Sequence, residues 1–426
     1  MSSLLIQGGR LISPLDNLDG LFDVLVDGGV IREIAPKLSS RADEMIDARG
    51  QVVAPGFVDL HVHLREPGGE ISETLETGLA AAVAGGFTAV CPMPNTSPVN
   101  DRPELTRSLI ERANQIGLAR VFPIAAVSRH SEGEALTDFS ALVAAGAVAF
   151  SDDGRPVKTA ELIRSAMEAA REIGVPIIDH CEDPSLSAGG VVNEGPVAAR
   201  LGVKGAPGMS EDVCLARDLV IAGATGAHLH AAHVSTAASV EMVRAARSRG
   251  VHVTSEVTPH HFVLTEESVL EHGTAAKMNP PLRTARDLEA MRAGLANGAI
   301  DAIATDHAPH APHLKAKSIT EAPFGVIGLE TALAVSLTMV HTQRISFGRL
   351  ISLLSANPAE IIGQSLGRVT AGGTADLTVF DPELEWTYRA ADGRSKSRNS
   401  PFDNWKLKGR TTYTIVAGKV VYRNEG

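Results

Sequence analysis

Eight short apolar segments between residues 57 and 306 constrain the fold of this 426-residue chain more than any other feature. They recur about every 30 residues, which is the length of a unit of one strand and one helix. The predicted strands are 57–63, 88–91, 121–124, 148–151, 176–180, 228–233, 251–256 and 302–306. Helical segments, such as 160–173 and 237–247, separate them. Apolar strands that alternate with helices predict a buried parallel sheet.

Eight strand–helix units in about 250 residues are typical of a (β/α)8 TIM-type barrel. The alternative is an open, doubly wound sheet, but no Gly-x-Gly-x-x-Gly turn follows the first predicted strand. Val-rich segments with Asp-Gly and Gly-Gly turns, which are typical of hairpins, occupy both ends of the chain. We therefore predict an α/β fold with a barrel over residues 52–364 and a small β-sandwich domain built from residues 1–51 and 365–426.

Composition argues against several classes of protein. A general nucleic-acid binder needs a basic face and stacking rings, whereas this chain has a net charge of −11 and 4% aromatic residues. Three cysteines cannot build a disulfide framework and indicate a reducing compartment. The first residues do not resemble a signal peptide, and no apolar run reaches the roughly 18 residues of a membrane span. We therefore predict a cytoplasmic protein without a membrane segment.

Histidine and aspartate side chains recur at the ends of the predicted strands. Asp59, His61 and His63 alternate along the first strand and so share one face. Four other predicted strands end near Asp152 and Asp153, His180, His233 and Asp306. In a barrel the carboxyl ends of all strands meet at one mouth, and charges buried there need a partner. The sequence therefore predicts a metal site at that mouth, bound by imidazole and carboxylate groups.

Four histidines and two aspartates are more ligands than one tetrahedral zinc ion needs. They suit two divalent ions that share a bridging carboxylate and a bridging hydroxide. Such a pair lowers the pKa of water and polarises a carbonyl group, which indicates hydrolysis of an unactivated carbonyl compound such as an amide. Asp306, at the end of the last predicted strand, can also move a proton if it contacts that water.

Two sequence blocks carry a resemblance to a known family. Residues 59–68, Asp-Leu-His-Val-His-Leu-Arg-Glu-Pro-Gly, and 306–310, Asp-His-Ala-Pro-His, resemble motifs of the dihydroorotase family in the amidohydrolase superfamily. Further matches, in the family's order, are residues 93–96, 258–261, 278–283 and 321–331. His-x-His alone is shared by the superfamily, but the two blocks are much more specific. The resemblance covers essentially the whole chain and implies a metal-dependent cyclic amidohydrolase.

The resemblance implies a role for each metal ligand. His61, His63 and Asp306 would hold one zinc ion, His180 and His233 a second, and Asp153 would bridge both, as in the bacterial type I enzymes. Asp152 is the alternative for the bridge. Many relatives, hydantoinases among them, bridge with a carboxylated lysine, but the nearest lysine here is Lys158, beyond Gly154 and Pro156. This departure favours the branch with a bridging aspartate.

The resemblance also implies the substrate, dihydroorotate, a cyclic amide with a carboxylate group. Its implied contacts are Arg65, Asn95 and His310 to the carboxylate, Asn279 and the backbone of Phe324 and Gly325 to the ring amide, and His63. Strand alternation would keep Arg65 on the metal face, where a guanidinium can bind a carboxylate bidentately. The alternative for Arg65 is an ion pair with Glu66 or Glu70.

The expected reaction is the zinc-dependent, reversible hydrolysis of (S)-dihydroorotate to N-carbamoyl-L-aspartate, a step of pyrimidine biosynthesis. The resemblance implies a metal-bridging hydroxide as nucleophile and Asp306 as general acid and base. A hydantoinase, dihydropyrimidinase or allantoinase is a second possibility, but Arg65 and Asn95 would serve a carboxylate that hydantoins and dihydrouracil lack.

A third possibility is an inactive subunit that scaffolds aspartate transcarbamoylase, although such a subunit should have lost metal ligands, and all six are present. We predict a homodimer, and association with aspartate transcarbamoylase is also compatible with an active enzyme. Residues 311–320 are interpreted as either a mobile lid or a solvated loop. Cys181 is expected to be a buried, inert thiol.

Overall fold

Parallel strands alternate with helices through the middle of the chain, and antiparallel strands lie at both ends. The computed structural model describes residues 3–425. Its strands are β1 (Leu4–Ser13), β2 (Leu18–Asp27), β3 (Val30–Ala35), β4 (Glu44–Asp47), β5 (Val52–Pro55), β6 (Phe57–Val62), β7 (Phe87–Pro92), β8 (Arg120–Val121), β9 (Ile124–Ala125), β10 (Ala149–Phe150), β11 (Ile177–Asp179), β12 (Val192–Asn193), β13 (Gly205–Ala206), β14 (Leu229–Ala231), β15 (Val253–Val257), β16 (Ala302–Ile303), β17 (Leu377–Thr387), β18 (Lys406–Val416) and β19 (Lys419–Arg423).

The α-helices mostly lie between the parallel strands. They are α1 (Leu75–Gly85), α2 (Pro103–Ile116), α3 (Phe139–Ala144), α4 (Ala160–Ile173), α5 (Pro184–Ser187), α6 (Pro196–Leu201), α7 (Met209–Thr225), α8 (Ala237–Ser248), α9 (Ser268–His272), α10 (Ala285–Asn297), α11 (Pro312–Lys315), α12 (Ala332–His341), α13 (Phe347–Ile351) and α14 (Asn357–Ile361). Within residues 3–425, no helix has both the length and the apolar character needed to cross a membrane.

Each strand predicted between residues 57 and 306 overlaps a strand of the structure, so these predictions are confirmed. The third is divided into β8 and β9, with Pro123 between them, which has no N–H to donate to a neighbouring strand. The residues of the other strands are mostly apolar and, apart from Thr254, buried, as a covered parallel sheet requires.

The parallel strands follow one another in two hydrogen-bonded series, β6-β7-β8 and β9-β10-β11-β14-β15-β16. Beyond β16 the chain returns to β6: the N–H of His63 donates to the carbonyl of His307 over 2.8 Å. The carboxylate of Asp59 accepts hydrogen bonds from N and Oγ1 of Thr305, at 3.0 and 2.6 Å. The first parallel strand therefore contacts the segment after the last, and the carboxyl ends of the strands lie on one face.

The helix α1 shows how local sequence sets the helix ends. Thr74 and Thr77 form a reciprocal capping box that satisfies N–H groups at its start. Gly86 ends it in the left-handed conformation, with φ 94°, which glycine adopts without strain. Leu75, Leu79 and Val83 recur every four residues and are buried, so one face of α1 packs against the sheet.

Both ends of the chain contribute to one further sheet, with strand order β19-β18-β17-β5-β1-β2-β3 and β4 paired with β1. The strand β17 pairs antiparallel with β5, which joins the C-terminal strands to the N-terminal ones. The terminal sheet therefore includes Val52–Pro55 and extends past the boundary predicted at residue 51. The reason is that the buried apolar residues of β5 pair with β1 before the chain enters β6.

Polar contacts join this terminal sheet to the parallel strands. Nε and Nη2 of Arg120, in β8, donate to the two carboxylate oxygens of Asp376 over 2.7 and 3.2 Å. The hydroxyl of Thr378 donates to the carbonyl of Gly86, and that of Thr414 to the carbonyl of Val83, both over 2.6 Å. The Asp376 side chain is 6% exposed, so its charge depends on Arg120 for compensation.

We expect Arg120→Met to lower the free energy of unfolding by about 1–3 kcal/mol, the range for losing hydrogen bonds to a charged group. The matched control is Arg10→Met, which removes a bidentate pair with Asp19 on the exposed side of the terminal sheet. That change should cost less than about 0.5 kcal/mol because exposed ion pairs contribute little. Urea denaturation of both variants measures the difference, and equal losses would contradict a joining role for Arg120.

Candidate active site

The predicted metal ligands all lie at the carboxyl ends of parallel strands. They are His61 in β6, His63 directly after it, Asp153 after β10, His180 after β11, His233 after β14 and Asp306 after β16. None of the six is more than 6% exposed. Water can therefore do little to stabilise their charges, which must be balanced inside the cluster.

Asp153 lies at the centre of this cluster. Its Oδ1 atom is 3.3 Å from His61 Nε2, 3.6 Å from His180 Nδ1 and 3.9 Å from His233 Nε2. Its Oδ2 atom is 3.6 Å from His63 Nε2. The carboxylate thus faces imidazoles of both proposed zinc sites, which is the position a bridging ligand must occupy.

Two neighbouring aspartates have other partners. The carboxylate of Asp152 accepts hydrogen bonds from N and Oγ of Ser128, so Asp152 is a poor candidate for the bridge. Asp59 shares a strand with His61 but bonds to Thr305 and to the N–H of His61. Burial raises the pKa of Asp59 to about 7, against the lowering effect of the Thr305 hydrogen bonds.

Asp306, which follows β16, completes the cluster. Its Oδ1 atom lies 3.0 Å from His63 Nε2 and 3.7 Å from His61 Nε2. The ligand atoms of His61, His63 and Asp306 lie within 4.8 Å of one another, as do those of His61, Asp153 and His233. Both groups are compact enough for each to hold one metal ion.

Unpartnered buried atoms show that the cluster fits a metal. Among the described residues, His61 Nε2 and Asp153 Oδ1 are buried and lack a hydrogen-bond partner. Such atoms are rare in folded proteins unless a ligand or ion satisfies them. Burial would lower the pKa of His180, but Asp153 and Glu182 raise it to about 10. The cluster therefore attracts positive charge, and its imidazole and carboxylate donors suit zinc.

Glu256, in β15, orients His61, a role that the sequence analysis missed. Its carboxylate lies 3.1 Å from His61 Nδ1 and 3.1 Å from His230 Nε2. Burial alone would raise the pKa of Glu256, but the hydrogen bonds with His230 and His61 lower it to about 2. A carboxylate at Nδ1 keeps the proton there and leaves Nε2 free for a metal. The only signal in the sequence is that Glu256, like the ligands, ends a predicted strand.

Glu182 orients His180, a role that the sequence analysis also missed. Its Oε2 atom lies 2.9 Å from His180 Nε2 and accepts a hydrogen bond from Asn279 Nδ2 over 2.8 Å. Burial would raise the pKa of Glu182, but His180 lowers it to about 2. Because Glu182 occupies Nε2 of His180, it is Nδ1 that faces Asp153. The predicted substrate contact Asn279 is held beside the ligand cluster.

Three site residues have left-handed backbone conformations that non-glycine residues rarely adopt. The φ angles are 61° for Arg65, 29° for His233 and 45° for Asp306. Such conformations cost about 1–3 kcal/mol each and persist where the surrounding contacts enforce them. Arg65 therefore reaches the site through a turn after β6 ends, and the strand alternation assumed from the sequence is not what directs it.

A cavity of about 220 Å³ opens beside the ligand cluster. The predicted substrate contacts all line it: His63, Arg65, Asn95, Asn279, His310, Phe324 and Gly325. A larger cavity, of about 730 Å³, shares Gly154, Asn279 and Phe324 with it. The smaller space suits a compact ring compound, and the larger one adjoins it.

Arg65 makes neither of the alternative ion pairs considered from the sequence. Glu66 pairs with Arg112 over 2.6 Å, and Glu70 accepts a hydrogen bond from a backbone N–H. The Nε atom of Arg65 donates to the carbonyl of Pro309 over 3.1 Å. Since no carboxylate of residues 3–425 forms an ion pair with it, the guanidinium can take an anionic ligand in the cavity.

Asn95 contacts two proposed metal ligands as well as the cavity. Its Oδ1 atom lies 2.9 Å from His63 Nδ1, and its Nδ2 atom donates to Asp153 Oδ2 over 3.0 Å. This arrangement directs Nε2 of His63 toward the cluster. Asn95 thus orients ligands in addition to the substrate role predicted for it.

The C-terminal segment contacts the residues that line the cavity through Asn399, which the sequence analysis also missed. The Oδ1 atom of Asn399 accepts a hydrogen bond from the N–H of His310 over 3.1 Å. Its Nδ2 atom donates to the carbonyl of Gly325 over 3.0 Å. His310 Nε2 lies 2.6 Å from the carbonyl of Phe324. Burial and the charge of Arg65 lower the pKa of His310 to about 3, so its imidazole is neutral at ordinary pH.

Cys181 is buried, as predicted, and belongs to a separate group behind His180. The group contains Asp179, Cys181, Cys214 and Asp218. Cys214 Sγ lies 3.7 Å from Asp179 and 3.8 Å from Asp218, and Arg217 donates to Asp218 over 2.8 Å. The hydrogen bond with Cys214 and burial raise the pKa of the Cys181 thiol well above its usual value. These groups satisfy one another, and the thiol is held protonated.

Comparison with known proteins agrees with this site. The model of a family described as dihydro-orotase-like matches residues 50–239. The chain is 49% identical over 422 residues to the dihydroorotase of Geobacter sp. (strain M21), with 99% of each chain covered. It is 47% identical over 424 residues to the dihydroorotase of Syntrophus aciditrophicus (strain SB), covering 99% of this chain and 100% of that relative.

Solved structures show the same architecture. An L-hydantoinase (dihydropyrimidinase) from Arthrobacter aurescens aligns with a TM-score of 0.89 at 27% identity, over 99% of this chain and 96% of that one. A D-hydantoinase (dihydropyrimidinase) from Thermus sp. aligns with a TM-score of 0.80 at 25% identity, over 99% and 95%. The fold and the histidine–aspartate cluster thus define a cyclic amidohydrolase. The sequence identity of 47–49% over 99% of this chain identifies the family more specifically than the fold does. The chain belongs to the dihydroorotase family, as predicted.

We expect Glu256→Gln to lower the affinity for zinc about 10- to 100-fold, because an amide cannot hold the His61 ring as a carboxylate does. Competition with a zinc chelator measures this affinity. The control is Glu111→Gln, which changes an exposed glutamate of α2 and should leave the affinity unchanged. An unaltered zinc affinity in the Glu256 variant would contradict the orienting role.

Proposed function

We propose that the protein is a dihydroorotase, which hydrolyses the cyclic amide of dihydroorotate reversibly to N-carbamoyl-L-aspartate in pyrimidine biosynthesis. The observation that carries this proposal is the cavity that joins the ligand cluster to the guanidinium of Arg65. The cluster supplies groups for amide hydrolysis, and Arg65 supplies a cation for the carboxylate that distinguishes this substrate from hydantoins and dihydrouracil.

We further infer that the parallel strands close into a (β/α)8 barrel, with a β-sandwich domain from residues 1–51 and 365–426 that also includes β5. The proposed zinc ligands are His61, His63 and Asp306 for one ion, and His180 and His233 for the other, with Asp153 between them. When bound, two such ions lower the pKa of a coordinated water and polarise the amide carbonyl. The contacts of Asp153 with imidazoles of both groups support its assignment as the bridge.

The substrate is oriented by groups that line the cavity. Arg65 and Asn95 would hold the ring carboxylate, and so would His310 once its single Nε2 N–H turns from the carbonyl of Phe324 to the substrate. Asn279 and the backbone of Phe324 would match the amide N–H and C=O groups of the ring without burying another charge. Gly325 would form the wall beside them, since its own N–H and carbonyl are already hydrogen-bonded to Lys277, Lys315 and Asn399. These contacts keep the amide carbon beside the ligand cluster.

Asp306 would move the proton during hydrolysis. Burial would raise the pKa of Asp306, but its hydrogen bond with His63 over 3.0 Å lowers it, so Asp306 is a carboxylate, and not an acid, when the reaction begins. It would take the proton released when water adds to the amide carbon and pass it to the departing nitrogen. In the reverse direction the same carboxylate serves ring closure. A homodimer, an association with aspartate transcarbamoylase and a cytoplasmic location stay predictions from the sequence.

We expect Asp306→Asn to lower kcat by about 10²–10⁴-fold, the usual contribution of a positioned acid–base group. Dihydroorotate should still bind, which calorimetry with the variant measures. Zinc content is determined on the same sample so that a lost metal is distinguished from a lost proton carrier. A zinc-loaded variant that keeps wild-type kcat would exclude the proton role.

We expect Arg65→Met to raise KM for dihydroorotate roughly 10- to 100-fold, because hydrogen bonds to a charged group contribute about 1.5–3 kcal/mol. Rates on dihydroorotate and on hydantoin, which lacks the carboxylate, are compared in the wild type and the variant. The wild type should prefer dihydroorotate, and the variant should lose that preference. Zinc-loaded wild type that hydrolyses hydantoin but not dihydroorotate would replace this proposal with the hydantoinase function, which the structural likeness favours as the alternative.

A further inference from the structure

Two buried lysines lie beside the cavity and have no acidic partner. Lys277 is 2% exposed and Lys315, at the end of α11, is 7% exposed. Buried lysines normally pair with a carboxylate. Within residues 3–425, neither forms an ion pair, and both donate to main-chain carbonyls. The interpretation of residues 311–320 as a solvated loop is therefore wrong at Lys315.

Lys315 makes the maximum number of hydrogen bonds that an ammonium group allows. Its Nζ atom donates to the carbonyls of Lys277, Pro323 and Gly325, at 3.2, 3.0 and 2.9 Å. An ammonium has three N–H groups, and each has one acceptor here. The contacts join two chain segments that both line the cavity, one leading to Asn279 and one containing Gly325.

Lys277 holds the same segment from its other side. Its Nζ atom donates to the carbonyls of Ile319 and Ala322, both over 2.6 Å. The ammonium also lies 4.4 Å from the centre of the Phe324 ring, within the range of a cation–π contact. The backbone of residues 319–325 is thus held by two ammonium groups.

We propose that Lys277 and Lys315 are positioning residues for the substrate, because they hold residues 319–325 so that Phe324 and Gly325 face the cavity. The inference rests on the proposed function, which places the backbone of Phe324 and the wall formed by Gly325 against the ring amide. The segment has little room to shift: a Cβ atom at Gly325, where φ is 132°, would lie 2.7 Å from Ala308 Cβ. Because Phe324 and Gly325 line the cavity, a small displacement of this segment would move the cavity wall.

Titration of Lys315 gives the proposal a pH signature. Burial, with the charge of Lys277, lowers the pKa of Lys315 to about 7. The charged or titratable groups that face it are Lys277 and His310, and His310, with a pKa of about 3, stays neutral above that pH. A neutral amine has two N–H groups for three carbonyls, so the segment is held less firmly as pH rises.

The free energy of unfolding should increase with pH, whereas substrate binding should weaken. Unfolded Lys315 keeps a pKa near its ordinary 10.5, so the unfolded chain binds more protons than the folded one between about pH 7 and 10.5. Its contribution to stability therefore rises with pH over the range in which substrate binding weakens. A purely structural lysine would not produce this divergence.

The test uses the metal-loaded full chain with Lys315→Met. We expect KM for dihydroorotate to rise about tenfold, with kcat within about threefold of wild type, since the loss falls on binding. The rise of wild-type KM between about pH 6 and 9 should disappear in the variant. Lys317→Met is the matched control, because Lys317 is an exposed lysine of the same segment and should behave as wild type.

Hydrogen exchange of the amides of residues 319–327 gives a readout that needs no activity. Exchange should be faster in Lys315→Met than in wild type. Unchanged KM and unchanged exchange in folded Lys315→Met would overturn the proposal. If that variant does not fold, Lys315→Gln replaces it, because the glutamine amide retains two N–H donors. A wild-type KM that does not change over the same pH range would also contradict the proposal.

The wild-type protein alone shows whether the proposed dihydroorotase function fails, independently of the lysine variants. Wild-type protein that hydrolyses hydantoin but not dihydroorotate refutes the dihydroorotase function. The ratio of KM between variant and wild type is then measured with hydantoin, and together with hydrogen exchange it still tests the lysine pair.

Discussion

The carboxylate of Asp153, enclosed by four imidazoles, is the interaction on which the rest of the site depends. Its oxygens lie 3.3–3.9 Å from nitrogens of His61, His63, His180 and His233. At this depth an uncompensated charge is costly, so the cluster requires cations, either protons or metal ions. The unpartnered atoms His61 Nε2 and Asp153 Oδ1 indicate that protein groups alone do not complete it. The parallel strands matter because they bring these residues, distant in sequence, to one face.

A second set of carboxylates keeps this cluster in place. Glu256 and Glu182 each bind the ring nitrogen that faces away from Asp153, and so determine which nitrogen of His61 and His180 is available for a metal. Asp59 connects the first strand to the segment that carries Asp306. Glu256 and Glu182, which their histidine partners keep ionised, thus flank a centre that needs positive charge. The left-handed backbone at Asp306 shows that the fold enforces this geometry.

Much of this arrangement could be predicted from the sequence because it depends on local pattern. Strands covered on both faces are mostly apolar, so the sequence predicts residues 302–306 as a strand with a polar end. The proposal of Asp153 over Asp152 as the bridge, left open by the sequence, is supported by the hydrogen bonds that Ser128 donates to Asp152. The orientation of Arg65 was inferred for the wrong reason, since a turn and not strand alternation directs it.

Contacts between distant segments could not be predicted. Asn399 bonds to the carbonyl of Gly325, 74 residues earlier in the chain, and nothing near either residue indicates the pairing. Lys315 lies among small and polar residues, a composition typical of a solvated loop, yet carbonyl groups from two segments surround its ammonium. Glu256 resembles any glutamate at a strand end until His230 and His61 are placed around it. Burial of a charge is a property of the assembled fold, which one segment does not reveal.

The distribution of charge also bears on how a negatively charged protein would bind an anionic substrate. The chain carries a net charge of −11, whereas the proposed substrate is an anion. Attraction must therefore be local, because screening limits the reach of distant charges to about 10 Å. Arg65, Lys277 and Lys315 lie at or beside the cavity without acidic partners. They would offset the negative charge of the protein where the substrate binds.

The most direct test of this account measures zinc content and dihydroorotate turnover on the same preparation, before and after chelation and after zinc is restored. The account predicts two zinc ions per chain, loss of turnover when they are removed, and recovery when they return. Protein that turns over dihydroorotate at an undiminished rate after its metal has been removed would contradict it.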